Sequence, residues 1–177
     1  WITKYLKESG RPFPTIHLFF NGDEELGSPF SRPYIEKAAQ EVDAAFVFEA
    51  SHEGLIKTQR KGVGLISLEA EGIESHAGLN PEDGASAITA LMEYCLAATQ
   101  LARPEKGTTV NVGLFKGGSG SNVVAGKASA EIDIRISTQA ELERLDNELD
   151  KISWSDSKVT VSVKKDWNRP PMEFTDA

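Results

Sequence analysis

Between residues 58 and 167 six segments of regular hydrophobic periodicity follow one another, and their order leaves few folds open. VGLISLEAEG (63–72) alternates like a half-buried strand, with Val63 and Leu65 facing in, Ile66 a further inward candidate, and Ser67, Glu69 and Glu71 facing out. Residues 84–102 carry Ile88, Leu91, Met92, Cys95 and Leu96 at spacings of three and four, a helical stripe. TTVNVGLF (108–115) and ASAEIDIRI (128–136) are strands, separated by the flexible run GGSGS (117–121). A helix over 138–152 sets Leu142, Leu145 and Leu149 on one face, and KVTVSVKK (158–165) is the last strand. The order β-α-β-β-α-β is the ferredoxin-like arrangement, an antiparallel sheet with helices on one face and the other face and an edge free. The predicted class is α+β.

The first 57 residues read differently. TIHLFF (15–20) and AAFVF (44–48) are unbroken apolar runs joined by a helix over 32–41, with Pro33 suited to its first turn. That pattern predicts one βαβ crossover, a partial parallel-sheet segment with too little core of its own. WITKYLKESG begins as though partway through a helix, and Pro170-Pro171 marks an exit from the central domain. The expected division is therefore 1–57, 58–167 and 168–177, a piece of a longer protein.

Composition excludes several roles. Lys and Arg total 19 against 27 Asp and Glu, a net charge of −8, and no basic cluster is present, which argues against nucleic-acid binding. No apolar stretch approaches the length of a membrane span. Cys95 is the only cysteine, so an internal disulfide and a cysteine zinc site are both excluded, while cytoplasm and periplasm stay equally open.

The sharpest local feature is the run from TIHLFF into Asp23-Glu24-Glu25. Functional groups in open parallel sheets lie just beyond strand C-termini, and AAFVF also ends in a carboxylate, Glu49. Side-by-side strands would gather Glu24, Glu25 and Glu49, a crowd of like charge that a divalent cation relieves. One carboxylate could then ligate while its neighbour carries a proton. Spacing alone leaves a solvated acidic turn as the commoner alternative. Among the histidines, His17 reads as a core residue and His52 as surface, while His76 occupies a Gly/Pro/Asn turn, ESHAGLNPEDG, where loops more often carry function. Arg135 shares a strand face with Asp133, and the plain reading is a surface ion pair.

NGDEELGSPFSRPYIEKAAQEVDAAFVFEAS, RKGVGLISLEAEGIESHAGLNPEDGASAI and TTVNVGLFKGGSGSNVVAGKASAEIDIR together resemble the di-zinc metallopeptidases of the carboxypeptidase G, aminoacylase and desuccinylase family, most of all its glutamate carboxypeptidase branch. The resemblance implies that Glu24 is the general base and acid, that Glu25 and Glu49 ligate one zinc each of a pair, and that His76 holds the oxyanion in a partner subunit's site. It implies that Asn122 and Arg135 grip a substrate carboxylate, with Gly118 nearby, and that 58–167 is a lid through which the protein forms a homodimer. The implied substrate is a peptide or N-acyl amino acid with a free carboxylate. Deacylation or desuccinylation of N-acyl amino acids is the alternative within the family; a non-enzymatic ferredoxin-like dimerisation or regulatory module is the alternative outside it. The family's early His-x-Asp, its bridging Asp and its late His are absent, so the chain itself is expected to hold zinc poorly and to be inactive. Ala50 and Ala125 also depart from the pattern of many relatives.

Overall fold

The computed structural model describes residues 1–51 and 53–174, so the expectation for His52 lies outside the described residues. By contacts the chain forms two compact units, Trp1–Ala50 and Ser51–Ala177.

In the second unit, strands β1 (Gly62–Glu71), β2 (Thr109–Gly117), β3 (Lys127–Ile136) and β4 (Thr160–Arg169) form one antiparallel sheet in the order β2-β3-β1-β4. With helix α3 (Ala87–Thr99) between β1 and β2 and α4 (Gln139–Leu149) between β3 and β4, this is the expected β-α-β-β-α-β topology. Helices α1 (Ile2–Glu8) and α2 (Arg32–Ala39) belong to the first unit. Both core helices start where a hydroxyl can cap them: Ser86 accepts the N–H of Thr89 at 3.2 Å and Thr138 that of Glu141 at 3.3 Å.

The core lies between the sheet and the two helices. Ile66, Leu68 and Ala70 of β1 face inward beside Ile132, Ile134 and Ile136 of β3, against Leu91 and Tyr94 of α3 and Leu145 and Leu149 of α4. This corrects the expected facing of β1. Leu65 is 40% exposed on the open face, whereas Ile66 is fully buried. Two adjacent apolar residues leave the strand's phase ambiguous, and a one-residue slip turns every side chain over. Pairing of Ile66 with Ile132 and of Leu68 with Ala130 settles it. Trp167 fills the space above Gly64, where a Cβ would collide with its indole, and donates Nε1–H to Asp146 at 2.8 Å. Tyr94 donates to the Leu149 carbonyl at 3.2 Å, and burial pushes its phenol up to about 12.

On α3 the buried side is Ala87, Ala90, Leu91, Tyr94, Cys95 and Ala98. Two members of the expected stripe, Met92 and Leu96, instead lie outside it, 50% and 63% exposed. The helix is apolar over a wider arc than its own core covers. After β4 the chain returns past the start of the domain, where Arg60 and Met172 exchange two backbone hydrogen bonds of 2.9 Å.

The first unit departs from expectation. Among the described residues neither 15–20 nor 44–48 forms a strand, and both runs are exposed, Phe20 at 89% and Phe46 at 83%. His17, expected in a core, is exposed with them. Parallel strands need partners on both edges and cover on both faces, and one crossover within Trp1–Ala50 provides neither. Helix α2 forms as expected, with Pro33 in its first turn.

Candidate functional site

The acidic turn is built by Asp23. Its carboxylate accepts the N–H groups of Phe30 at 2.9 Å and Ser31 at 3.0 Å, and the Ser31 hydroxyl, with these amides, holds its pKa down to about 2. Glu24–Leu26 is a single 3-10 turn closed by Gly27 at φ 84°, a left-handed conformation that favours glycine. Asp23 is thus consumed in holding the loop, while Glu24 and Glu25 stand exposed beside it. Glu49 is exposed in irregular chain.

The expected gathering of Glu24, Glu25 and Glu49 does not amount to a metal site. Among the described residues no group of three or more His, Cys, Asp or Glu side chains is arranged to hold a metal ion. The parallel strands that would set the three at one rim are themselves unformed. A zinc pair does not fit what is present: the donors are exposed carboxylates without an imidazole, where zinc takes three or four protein ligands.

The second unit assembles a more definite site at one end of its sheet. His76, in the loop after β1, bridges to Val123 in the loop between β2 and β3. Ala77 N–H donates to the Asn122 carbonyl and Val124 N–H to that of Ser75, both at 2.9 Å. His76 and Asn122 are therefore laced onto neighbouring backbone, and Gly118, at φ 77°, turns the same loop out of β2. Next to them lies an open cleft of about 450 Å³ lined by Gly72, Glu74, Gly118, Ser119, Gly126 and Lys127. Ser119 donates its hydroxyl to Glu74 at 3.1 Å across this cleft.

Sequence reasoning did not single out Glu74, Ser119 or Lys127. The available signal was the presence of polar residues beside glycine on both loops.

Arg135 stands elsewhere. It pairs across β3 with Val63 and Thr109, whereas the cleft residue Lys127 begins that strand, about 27 Å away along it at ~3.4 Å per residue. Its Nε and Nη2 grip Asp133 bidentately at 2.9 and 2.8 Å, the ion pair read from the sequence, and this bond raises its pKa. Within one chain, therefore, His76 and Asn122 lie on adjoining loops, Gly118 lines the cleft in the second of them, and Arg135 stands toward the other end of the sheet.

Comparison with known proteins adds the following. Residues 58–158 match the family model described as peptidase dimerisation domain, of the M20 group. Carboxypeptidase G2 of Pseudomonas sp. strain RS-16 is 30% identical over 168 residues, 90% of this chain and 40% of that protein. One polypeptide of the p-aminobenzoyl-glutamate hydrolase of Escherichia coli is 40% identical over 65 residues, 36% of this chain and 15% of that polypeptide. Among solved structures, aminopeptidase PepT of Bacillus cereus superposes with a TM-score of 0.58 at 23% identity, over 68% of this chain and 33% of that one. This last likeness is one of fold. The chain thus spans well under half the length of these relatives.

Proposed function

Because this chain belongs to the M20 peptidases through their dimerisation domain, we propose that the whole protein hydrolyses an amide next to a free carboxylate, as a glutamate carboxypeptidase does. What carries this reading is the likeness to carboxypeptidase G2, which covers 90% of the chain and so takes in acidic turn and lid together. The name of the Escherichia coli hydrolase, an amide of glutamate, supports the same substrate class.

In this reading Glu24 accepts the proton of the attacking water and returns it to the leaving amine, an exchange that needs one exposed carboxylate with no competing partner. Glu25 and Glu49 would each hold one metal of a zinc pair only together with further ligands from the intact protein, because by themselves these carboxylates make no zinc site. The lid contributes His76 toward the oxyanion and Asn122, with Gly118 beside it, toward the substrate carboxylate. Arg135, at the far end of the sheet, would act on a substrate held elsewhere in the assembly, and only after yielding its hold on Asp133.

The test is an assay of the intact protein on C-terminal glutamyl peptides, N-acetyl amino acids and N-succinyl compounds. The glutamyl peptides should give the highest kcat/KM. Preference for acetyl or succinyl substrates replaces this reading with deacylation or desuccinylation, and absence of hydrolysis on all three removes it in favour of a dimerising or regulatory module.

The lid is also the proposed homodimer contact. Among the described residues strand β2 pairs with β3 alone, so its outer edge offers free N–H and C=O groups. Met92 and Leu96 of α3, which packs on β2, and Leu114 and Phe115 of β2 itself add exposed apolar surface. Light scattering at high micromolar concentration should give a dimer, and Met92→Arg with Leu96→Arg should give a monomer of unchanged fold, because two charges cannot be buried unpaired. A monomeric unsubstituted chain would argue against the contact.

A further inference from the structure

His76 is not free to choose which of its nitrogens carries the proton. Its carbonyl accepts the N–H of Asn80 at 3.1 Å, closing the turn, and inside that turn the backbone N–H of Gly78 donates to its Nδ1 at 3.1 Å. A backbone N–H can only donate, so the ring atom facing it must present a lone pair. The proton of that imidazole then sits on Nε2.

We infer that the Gly78 amide is a positioning group that fixes His76 in the Nε2-protonated tautomer and so makes its outward nitrogen a hydrogen-bond donor for an anionic oxygen. Three observations agree. The side chain of His76 is exposed, and Nε2 has no partner among the described residues. The turn is braced from a second loop through the Val123 bridge, so the ring's anchor does not drift with the turn. Asn122, whose carbonyl accepts from Ala77, brings a second group able to donate to oxygen onto the neighbouring stretch.

The chemical consequence, which rests on the proposed hydrolase reading, is a division of labour. With Nδ1 occupied by an N–H and Nε2 already protonated, His76 has no lone pair with which to act as a base. It can only donate to an oxygen that gains negative charge, and the proton traffic is left to Glu24.

The position also supplies its own controls. A Cβ added at Gly78 would lie 3.5 Å from His76 Cε1 and 3.7 Å from Nδ1, ordinary contact, so Gly78→Ala keeps both the turn and the N–H. Gly78→Pro deletes the N–H.

The experiment is a long-range ¹H–¹⁵N correlation of the imidazoles in the ¹⁵N-labelled chain, with His76 assigned by the loss of its signals in His76→Gln. The expected spectrum shows a pyrrole-type Nε2 and a pyridine-type Nδ1 for His76, unchanged in Gly78→Ala. In Gly78→Pro the two shifts move toward each other while the sheet amides stay in place. A protonated Nδ1, or averaged shifts in the unsubstituted chain, overturns the inference. None of these readouts needs catalysis, so they stand or fall apart from the proposed activity.

In the intact protein the two amide replacements separate the nitrogens. Gln can place an N–H near the Nε2 position, and Asn only near Nδ1. His76→Asn should lose about 100- to 1,000-fold in kcat, the usual cost of one oxyanion donor, with His76→Gln recovering ~10-fold or more of it. Equal losses would overturn the donor assignment while leaving the hydrolase reading intact, and should Gly78→Pro fail to fold, this pair and the unsubstituted spectrum still decide the matter.

Discussion

On the proposed reading, replacing Glu24 by Gln in the intact protein should lower kcat by roughly 10²–10⁴-fold, the range that a positioned general base contributes, with KM and metal content little changed. Three features lead to this figure. Glu24 is exposed, and while its carbonyl accepts the N–H of Gly27 at 2.8 Å, its side chain makes no hydrogen bond or ion pair among the described residues, so nothing in the fold depends on its charge. Its neighbour Asp23 is the carboxylate that ties the turn together, through the N–H groups of Phe30 and Ser31. Gln is nearly isosteric and keeps the loop, but it cannot accept a proton at neutral pH. Steady-state kinetics with metal analysis on the same sample provide the check. Full activity in Glu24→Gln would remove the proton-carrier role, and loss of zinc along with activity would move Glu24 to the ligand set. Asp23→Asn is the contrasting variant: it should weaken the turn itself, because the carboxylate held near 2 is the acceptor of both amides.

The second large effect is structural. Glu141 is only 5% exposed, yet its carboxylate is fully partnered: Arg144 donates from Nε at 3.1 Å and Nη2 at 2.7 Å, Thr108 donates its hydroxyl at 2.8 Å, and Arg103 donates at 3.2 Å. This knot joins the first turn of α4 to the loop that precedes β2. Glu141→Gln should cost about 2–4 kcal/mol, because it leaves the largely buried Arg144 guanidinium against a neutral amide and removes the partner of Arg103. Urea denaturation should show a lower midpoint at constant slope. A loss below about 0.5 kcal/mol, the scale of a surface pair, would contradict the knot's role.

The pH dependence follows from the same bonds. Hydrogen bonding to Arg144 first, then to Thr108, brings the Glu141 pKa from 4.5 down to about 2. A carboxylate with a depressed folded-state value adds stability that is present above its unfolded value and is lost as pH falls through the folded one. Stability should therefore hold above about pH 4.5 and drain away toward pH 2, and Glu141→Gln should remove that part of the acid limb.

Glu141 also illustrates how far local sequence reaches. Thr138-Gln139-Ala140-Glu141 has the spacing of a capping box, and half of one forms, with the Thr138 hydroxyl accepting from Glu141 N–H. The other half does not, because the Glu141 side chain is drawn to Arg103 and Thr108, more than 30 residues away in sequence. No window along the chain contains that information. The fate of 15–20 and 44–48 is the same problem in reverse. Their composition is that of buried strands, but a strand exists only against a partner, and among the described residues these have none.

By itself, the order of residues determined the β-α-β-β-α-β succession, the split sheet that follows from it, the helix that begins at Pro33's turn, and the motif in which His76 lies. Periodicity and turn chemistry act over a few residues, and these features need nothing more. Tertiary structure alone decided which face of β1 is inside, why Met92 and Leu96 remain outside, and that Arg135 stands at the end of β3 away from His76. Each of these depends on what a residue meets across the sheet or across a neighbouring loop, and packing and hydrogen bonding between distant segments choose among options that are locally equivalent.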